Sequence, residues 1–244
     1  MSTWPFKILV KYATRGRPER FFDGMDSIYN LCSQPDHIRV LITADLDDHK
    51  MNNEEVRDRI AKYKNAHIIY GTSDNKIHAI NRDFYLMPDE WKDWSIIANF
   101  SDDQRFTLFG WDDCLRVDFN QISHDFSHYI AYLDPDTKSA LSTLFISGRG
   151  WFDRFGWVYD PQFVSLFCDN LAEDAAKYLG KYHYTGYSIY QHFNSAYGYK
   201  EFPPDQMFLD QQRIGWDVDE KLYYKIKGEG IEKYLSDLHL IENK

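Results

Sequence analysis

Cysteine is scarce in this 244-residue chain: Cys32, Cys114 and Cys168 stand far apart, odd in number and without a C-x-x-C pair. That pattern argues against a disulfide framework and a cysteine-based zinc site, leaving the thiols to the core. No apolar stretch approaches the roughly 20 residues of a membrane span, and no basic segment with an apolar run opens the chain, so a soluble, cytoplasmic protein is expected. Basic charge is in deficit, 28 Lys and Arg against 38 Asp and Glu for a net charge of −10, which disfavours a nucleic-acid partner. Neither G-x-x-x-x-G-K-[ST] nor G-x-G-x-x-G occurs. Gly71 to Lys76 spaces a glycine and a lysine but lacks the second glycine, so ATPase and dinucleotide readings lose their motif. His124 and His128 have helical zinc spacing, yet Asp125 replaces the glutamate of H-E-x-x-H and no third ligand is evident.

What remains is enough for one large α/β domain with a sizeable core. The first half alternates strand-like and helix-like segments, the pattern of a parallel sheet with crossover helices. Strands are expected at Phe6 to Tyr12, Ile38 to Thr43, Ala66 to Tyr70 and Ser95 to Phe100, with helices at Pro18 to Leu31, Glu54 to Tyr63 and Asn75 to Tyr85. Residues 1–105 thus read as a nucleotide-binding half. Residues 106–200 read as a mixed-sheet acceptor half, with short strands at Tyr129 to Leu133, Leu144 to Ile146, Val164 to Phe167 and Tyr187 to His192 and a helix at Asn170 to Leu179. Residues 201–244 form a helical C-terminal extension, Asp205 to Trp216 and a shorter helix after Gly228.

The informative feature is Ser101-Asp102-Asp103, which closes the apolar run from Trp94 to Phe100. Ligands of open α/β sheets gather beyond the carboxyl ends of such strands. Carboxylates there suit Mg²⁺ or Mn²⁺, whose remaining ligands come from substrate phosphates. An ordinary acidic turn is the alternative, and Asp47-Asp48 and Asp112-Asp113 show that such pairs recur. Two more strand ends carry polar groups. After the first comes Ala13-Thr14-Arg15-Gly16-Arg17-Pro18, with hydroxyl and guanidinium donors before a helix start that can hold a base or phosphate; after the second comes Asp45. Lys76 and Asn81 lie on the third helix, as nucleotide contacts or as solvated helix residues. Asp169 stands where the Val164 to Phe167 run gives way to a helix, as a reactive acid or as an N-cap. The aromatic run Trp151 to Trp157 fits an acceptor platform, a lid or plain packing equally well.

Taken in order, a T-R-x-R-P loop after strand one, an acid after strand two, a K-x-x-A-x-N helix and an S-D-D turn after strand four resemble the inverting glycosyltransferases of family 2 with the GT-A fold, over about residues 6 to 195. The resemblance implies that Thr14, Arg15, Arg17, Asp45, Lys76 and Asn81 hold a nucleotide sugar. It implies further that Asp102 faces ribose or metal, that Asp103 is the main ligand of Mn²⁺ or Mg²⁺, and that His192, similar to a late histidine of many such enzymes, completes the metal shell. Asp169 takes the place of the family's acidic base, with Glu173 and Asp174 resembling its E-D pair. The turn departs from the common D-x-D form, which leaves the division of labour between Asp102 and Asp103 open. Gln211 to Trp216 matches the Q-x-x-R-W motif of processive synthases only loosely, so transfer of one sugar is expected, with a UDP-sugar the favoured donor and a hydroxyl on a glycan or small molecule the acceptor. A sugar nucleotidyltransferase, or a non-catalytic carbohydrate-binding protein on the same fold, are the alternative readings; the first lacks its glycine-rich loop, and the second would need no metal.

Overall fold

A computed structural model describes residues 6–122, 124–136, 141–200 and 202–238. Four parallel strands, β1 (Ile8–Ala13), β2 (Ile38–Asp45), β3 (Ala66–Gly71) and β4 (Ile96–Phe100), form the first half of the sheet. β5 (Gln104–Phe106) follows β4 at once and leaves the sheet. The second half adds β6 (Tyr129–Ala131), β7 (Phe145–Gly148) and β8 (Tyr182–Tyr184), giving the order β3-β2-β1-β4-β7-β6-β8, with β7 antiparallel to both β4 and β6. β9 (Tyr190–His192) pairs antiparallel with β5 in a separate ribbon, Gln104 opposite His192.

Alternation sorts each central strand's side chains to two cores, as a sheet covered on both faces requires. Ile8, Val10 and Tyr12 of β1 pack with α1 (Pro18–Asn30), α2 (Glu54–Ile60) and α4 (Trp111–Ile122). Leu9, Leu41 and Ile97 face the other way, onto α3 (Lys76–Asn81), α5 (Arg149–Phe155) and α6 (Cys168–Tyr178). α7 (Gln206–Ile214), a π-helical turn at Gly215–Asp219 and α8 (Glu220–Glu229) run on as one helix, and α9 (Ile231–Asp237) ends the described chain. Because β1, β2 and β4 are parallel and in register, Ala13 beside Thr43 and Tyr12 beside Phe100, their exits open on one edge.

Several expected elements change. The Asn75 to Tyr85 helix stops at Asn81, because Asp83 takes a left-handed conformation (φ 79°) and turns the chain into a short 3₁₀ segment. Val164 to Phe167 is no strand: its amides bond a side-chain carboxylate of the C-terminal extension instead of a neighbouring strand. Tyr187 to His192 shortens to β9 and pairs outside the main sheet. His124 and His128 lie beyond the end of α4, so the helical zinc spacing has no helix beneath it. The aromatic run resolves toward packing: Trp151 and Phe155 are buried, with Trp151 against Tyr129. Of the tail, residues 239–244 lie outside the described residues.

Candidate functional site

The acidic turn is built tightly. The Gln104 amide closes Ser101–Gln104 onto the Ser101 carbonyl at 3.0 Å, while the buried Gln104 side chain accepts from the Ser101 amide and donates to the Thr143 carbonyl. Arg105 donates to the Asp102 carbonyl at 2.9 Å and to the Arg20 carbonyl at 2.8 Å, tying the turn to α1. This fixes Asp102 inward and Asp103 toward β9. Asp103 accepts from the Ser101 hydroxyl at 2.5 Å, and its second oxygen lies 3.4 Å from His192 Nε2. On the far side of the ring, His192 Nδ1 meets Asp134 at 3.3 Å and the Thr143 hydroxyl at 3.0 Å. Burial alone would raise the Asp103 pKa, but the charge and hydrogen bond of His192 outweigh it and hold the carboxyl well below its usual range. Burial likewise opposes protonation of His192, yet Asp103 and Asp134 lift it to about 9.

Asp102 behaves differently. Burial pushes its pKa up to about 7 against the pull of the Arg17 charge and of a hydrogen bond with Thr14. Asp45 Oδ1 is buried too, with Arg82 at 3.6 Å and no hydrogen bond of its own. An unmet buried polar group costs about 1–3 kcal/mol, so thinly partnered carboxylates at the ends of β4 and β2, beside the Thr14 hydroxyl at the end of β1, suit an edge that takes a polar ligand. The other Asp-Asp pairs give the contrast: Asp112 accepts from the Ser33 and Gln34 amides and pairs with Arg116, and Asp48 accepts from the Gly16 and Lys50 amides.

The flanking groups converge on this edge. Arg15 bridges Asp45 and Asp47 at 2.7 Å each, and Arg82 lies 3.6 Å from Asp45. Arg17 forks onto Asp205, the N-cap of α7, through two bonds of 2.6 Å, and its charge also reaches Asp102 and Asp103. Lys76, exposed in the first turn of α3, acts electrostatically on both Asp103 and Asp169. Asn81 is engaged elsewhere: its amide accepts from the Val158 and Tyr159 N–H groups and donates to the Tyr159 carbonyl, which ties α3 to that loop.

Asp169 is the second residue of α6, with burial raising its pKa, and it accepts only from the Asn170 amide among the described hydrogen bonds. Its charge reaches Tyr197, whose ring lies 6.5 Å from that of His192, and Lys76 acts on both Asp169 and Asp103. Glu173 is instead paired with Lys177 at 2.5 Å, and Asp174 accepts from Tyr223 at 2.7 Å and pairs with Lys227. Sequence reading missed Asp134, Thr143, Arg82 and Asp205, which meet the site across 30 or more residues and carry no local motif.

Among the described residues no group of three or more His, Cys, Asp or Glu is shaped to hold a metal ion. Asp103 and His192 are the pair that could hold one. Bonds of about 2.1 Å at right angles put neighbouring ligands about 3 Å apart, close to the 3.4 Å between Asp103 and His192. The Asp134 contact behind the imidazole is the second-sphere support that metal-binding histidines use.

No family model matches the sequence, and no curated protein matches it. Solved structures do. The mannosyltransferase PcManGT from Pyrobaculum calidifontis, in complex with GDP-Man and Mn²⁺, superposes with a TM-score of 0.60 at 12% identity over 81% of this chain and 62% of that one. S. aureus TarS 1–349 gives 0.61 at 10% identity over 80% and 63%, and its complex with UDP gives 0.60 at 10% over 76% and 60%. This chain therefore spans about three-fifths of the length of each. The fold is the one these solved glycosyltransferases share, α/β with a mostly parallel sheet and a mixed second half, consistent with GT-A.

Proposed function

We propose that this chain is a metal-dependent, inverting glycosyltransferase that moves one sugar from a nucleotide sugar, with UDP favoured, to a hydroxyl on a glycan or small molecule. The observation that carries the reading is the shared edge: the thinly partnered buried groups of Thr14, Asp45 and Asp102 beside the Asp103–His192 pair, with Lys76 acting electrostatically on both Asp103 and Asp169. The fold neighbours solved with GDP-Man and Mn²⁺ and with UDP support a nucleotide-sugar donor.

In this reading Asp45, with its free oxygen next to Arg82, takes an N–H of the base while Arg82 offers a donor to the adjacent carbonyl, the pattern that uracil presents. Thr14 and Asp102 take the ribose. Asp103 and His192 hold Mn²⁺ or Mg²⁺ on the protein side. A bound ion of this kind supplies charge neutralisation to the departing diphosphate, which then needs no protein acid. Arg17 and Lys76 add positive charge at the same place. Asp169 takes the proton of the acceptor hydroxyl as its oxygen bonds to the anomeric carbon on the face opposite the nucleotide, and the bond from that carbon to the phosphate oxygen breaks. One base and one leaving group on opposite faces give inversion.

Calorimetry with UDP and GDP, each with and without Mn²⁺, tests the donor site. Binding that strengthens with Mn²⁺ in wild type and loses that dependence in Asp103→Ala is expected; UDP binding indifferent to both overturns the ion site. For the base, Asp169→Asn keeps donor affinity and lowers turnover about a hundredfold or more. Unchanged turnover moves the role off Asp169.

A further inference from the structure

We infer that the C-terminal helical extension is the buttress that fixes the base, with Asp219 as the residue that positions Asp169; this rests on the assignment of Asp169 above. Asp219 is fully buried, and its carboxylate receives three consecutive backbone amides: Val164 at 2.9 Å to one oxygen, Ser165 and Leu166 at 2.7 Å each to the other. Bonds to a charged acceptor are roughly twice as strong as neutral ones. The three N–H groups belong to the stretch that sequence reading took for a strand, and the carboxylate does the work a neighbouring strand would have done.

Further constraints act on the same stretch. Phe167 sits in the left-handed region (φ 59°), an unfavourable place for a bulky residue, and serves as the N-cap of α6 two residues before Asp169. Its ring is caged by the extension, stacked on Tyr223 at 5.6 Å and edge-on to Trp216 at 5.2 Å. Gly215 lets the helix approach: a Cβ there would come within 2.4 Å of Leu166 Cγ. The Val164 carbonyl in turn accepts from the Ile77 amide, next to Lys76, so one clamped loop leads to both Lys76 and Asp169. Gly215 and Asp219 bound a π-helical turn, a rare distortion often found at functional sites, which here brings Asp219 into the loop. A misplacement of about 1 Å at a reacting group can cost a hundredfold in rate, so a clamp of this kind acts on turnover and not on donor binding.

Full-length wild type, Asp219→Asn, Asp169→Asn and the double variant are compared by nucleotide release from UDP-N-acetylglucosamine and from GDP-mannose with Mn²⁺. Asp219→Asn is expected to lower kcat tenfold or more with donor KM within twofold, and to add nothing in the Asp169→Asn background. Wild-type kcat in Asp219→Asn, or an equal loss in both backgrounds, overturns the positioning role while leaving the base in place. Wild-type turnover in Asp169→Asn removes the base itself, a separate result. A readout free of turnover is the Asp169 carboxyl titration followed by carbon NMR on labelled aspartate. Its midpoint falls toward the ordinary value of about 3.9 once the loop is released in Asp219→Asn, and an unmoved midpoint overturns the inference. Should Asp219→Asn fail to fold, Gly215→Ala displaces Leu166 with the carboxylate intact and must give the same kcat loss at constant KM.

Discussion

Replacing Asp134 by Asn tests whether His192 is a metal ligand without touching the ligand. The imidazole stands between two carboxylates, Nε2 at 3.4 Å from Asp103 and Nδ1 at 3.3 Å from Asp134, with the Thr143 hydroxyl at 3.0 Å from Nδ1. Thr143 donates its own proton to Asp134 at 2.5 Å, so its oxygen is left to accept from Nδ1. Both neighbours therefore favour a proton on Nδ1, which turns the Nε2 lone pair toward Asp103 whenever the ring is neutral. Loss of such second-sphere partners typically costs 10–100-fold in metal affinity, about 1.4–2.7 kcal/mol. Because Thr143 survives the substitution and Asn can still accept one hydrogen bond, the lower end applies, about tenfold. Titration of Mn²⁺ into the UDP-bound protein, by calorimetry or by water-proton relaxation, measures it. Asp134→Asn with Mn²⁺ affinity within twofold of wild type, in a protein that melts normally, refutes the ligand role of His192 and leaves Asp103 as the protein's contribution alone.

Lys11 is buried in β1, bonded to Thr43 and to the Arg82 carbonyl, and burial lowers its pKa to about 7 despite the nearby Asp83 charge. Between pH 7 and about 10.4 the unfolded chain then holds one proton more than the folded one, so stability rises with pH in that window, by about 1.4 kcal/mol per unit. Wild type should gain on Lys11→Met by that slope in urea melts from pH 7.5 to 9.5, and parallel curves would contradict the shift. Arg116→Met leaves Asp112 buried and charged after losing a pair 2.6 Å long with both side chains fully enclosed; a loss of about 3–5 kcal/mol is expected in denaturant melts, and under 1 would show that the Ser33 and Gln34 amides suffice. Gly215→Ala gains helix propensity yet meets Leu166 Cγ at 2.4 Å. The clash prevails, at about 1–3 kcal/mol net, and a variant as stable as wild type would mean that the 164–166 loop yields freely.

How much of this was legible in the sequence follows from how local each interaction is. β1, β2 and β4 were readable because buried parallel strands are nearly continuous apolar runs, β3 because even this half-buried edge strand keeps Ile68, Ile69 and Tyr70 together, and α1 because Pro18 opens a helix whose Phe21, Phe22, Met25 and Ile28 share one buried face. The exit of Asp103 beside Thr14 and Asp45 needed only the inference that these strands run parallel. By contrast β5 and β8 are three residues long, too short for any period to register, and α4 hid behind an Asp-Asp pair taken for coincidence. The error at Val164 to Phe167 is the instructive one. An apolar run of the right length was real, but its amides are satisfied by Asp219, more than 50 residues downstream, and nothing within the run signals that partner.

The same distinction separates the carboxylates that build this protein from those available to a ligand. Asp112, Asp219 and Asp83 are each enclosed by amides, guanidinium groups or hydroxyls, and each sets the position of something else: α4 on the Ser33 turn, the loop before α6, and, through Arg82, the neighbourhood of Asp45. Asp45 and Asp102 are thinly partnered, and Asp169 receives only a neighbouring amide of its own helix. A chain with 38 acidic residues cannot announce which are which by composition. What sorts them is the closure of their hydrogen bonds. Asp45, Asp102 and Asp169 lie at the parallel-strand exits and at the start of α6, where a polar ligand would supply further partners. Asp83 and Asp219 stand behind two of these places, whereas Asp112, bonded to the Ser33 turn before β2, closes the opposite edge of the sheet. The cost of leaving Asp45 and Asp102 thinly partnered is borne by the rest of the fold, in which Asp83, through Arg82, holds the β2 exit and Asp219 holds the approach to Asp169.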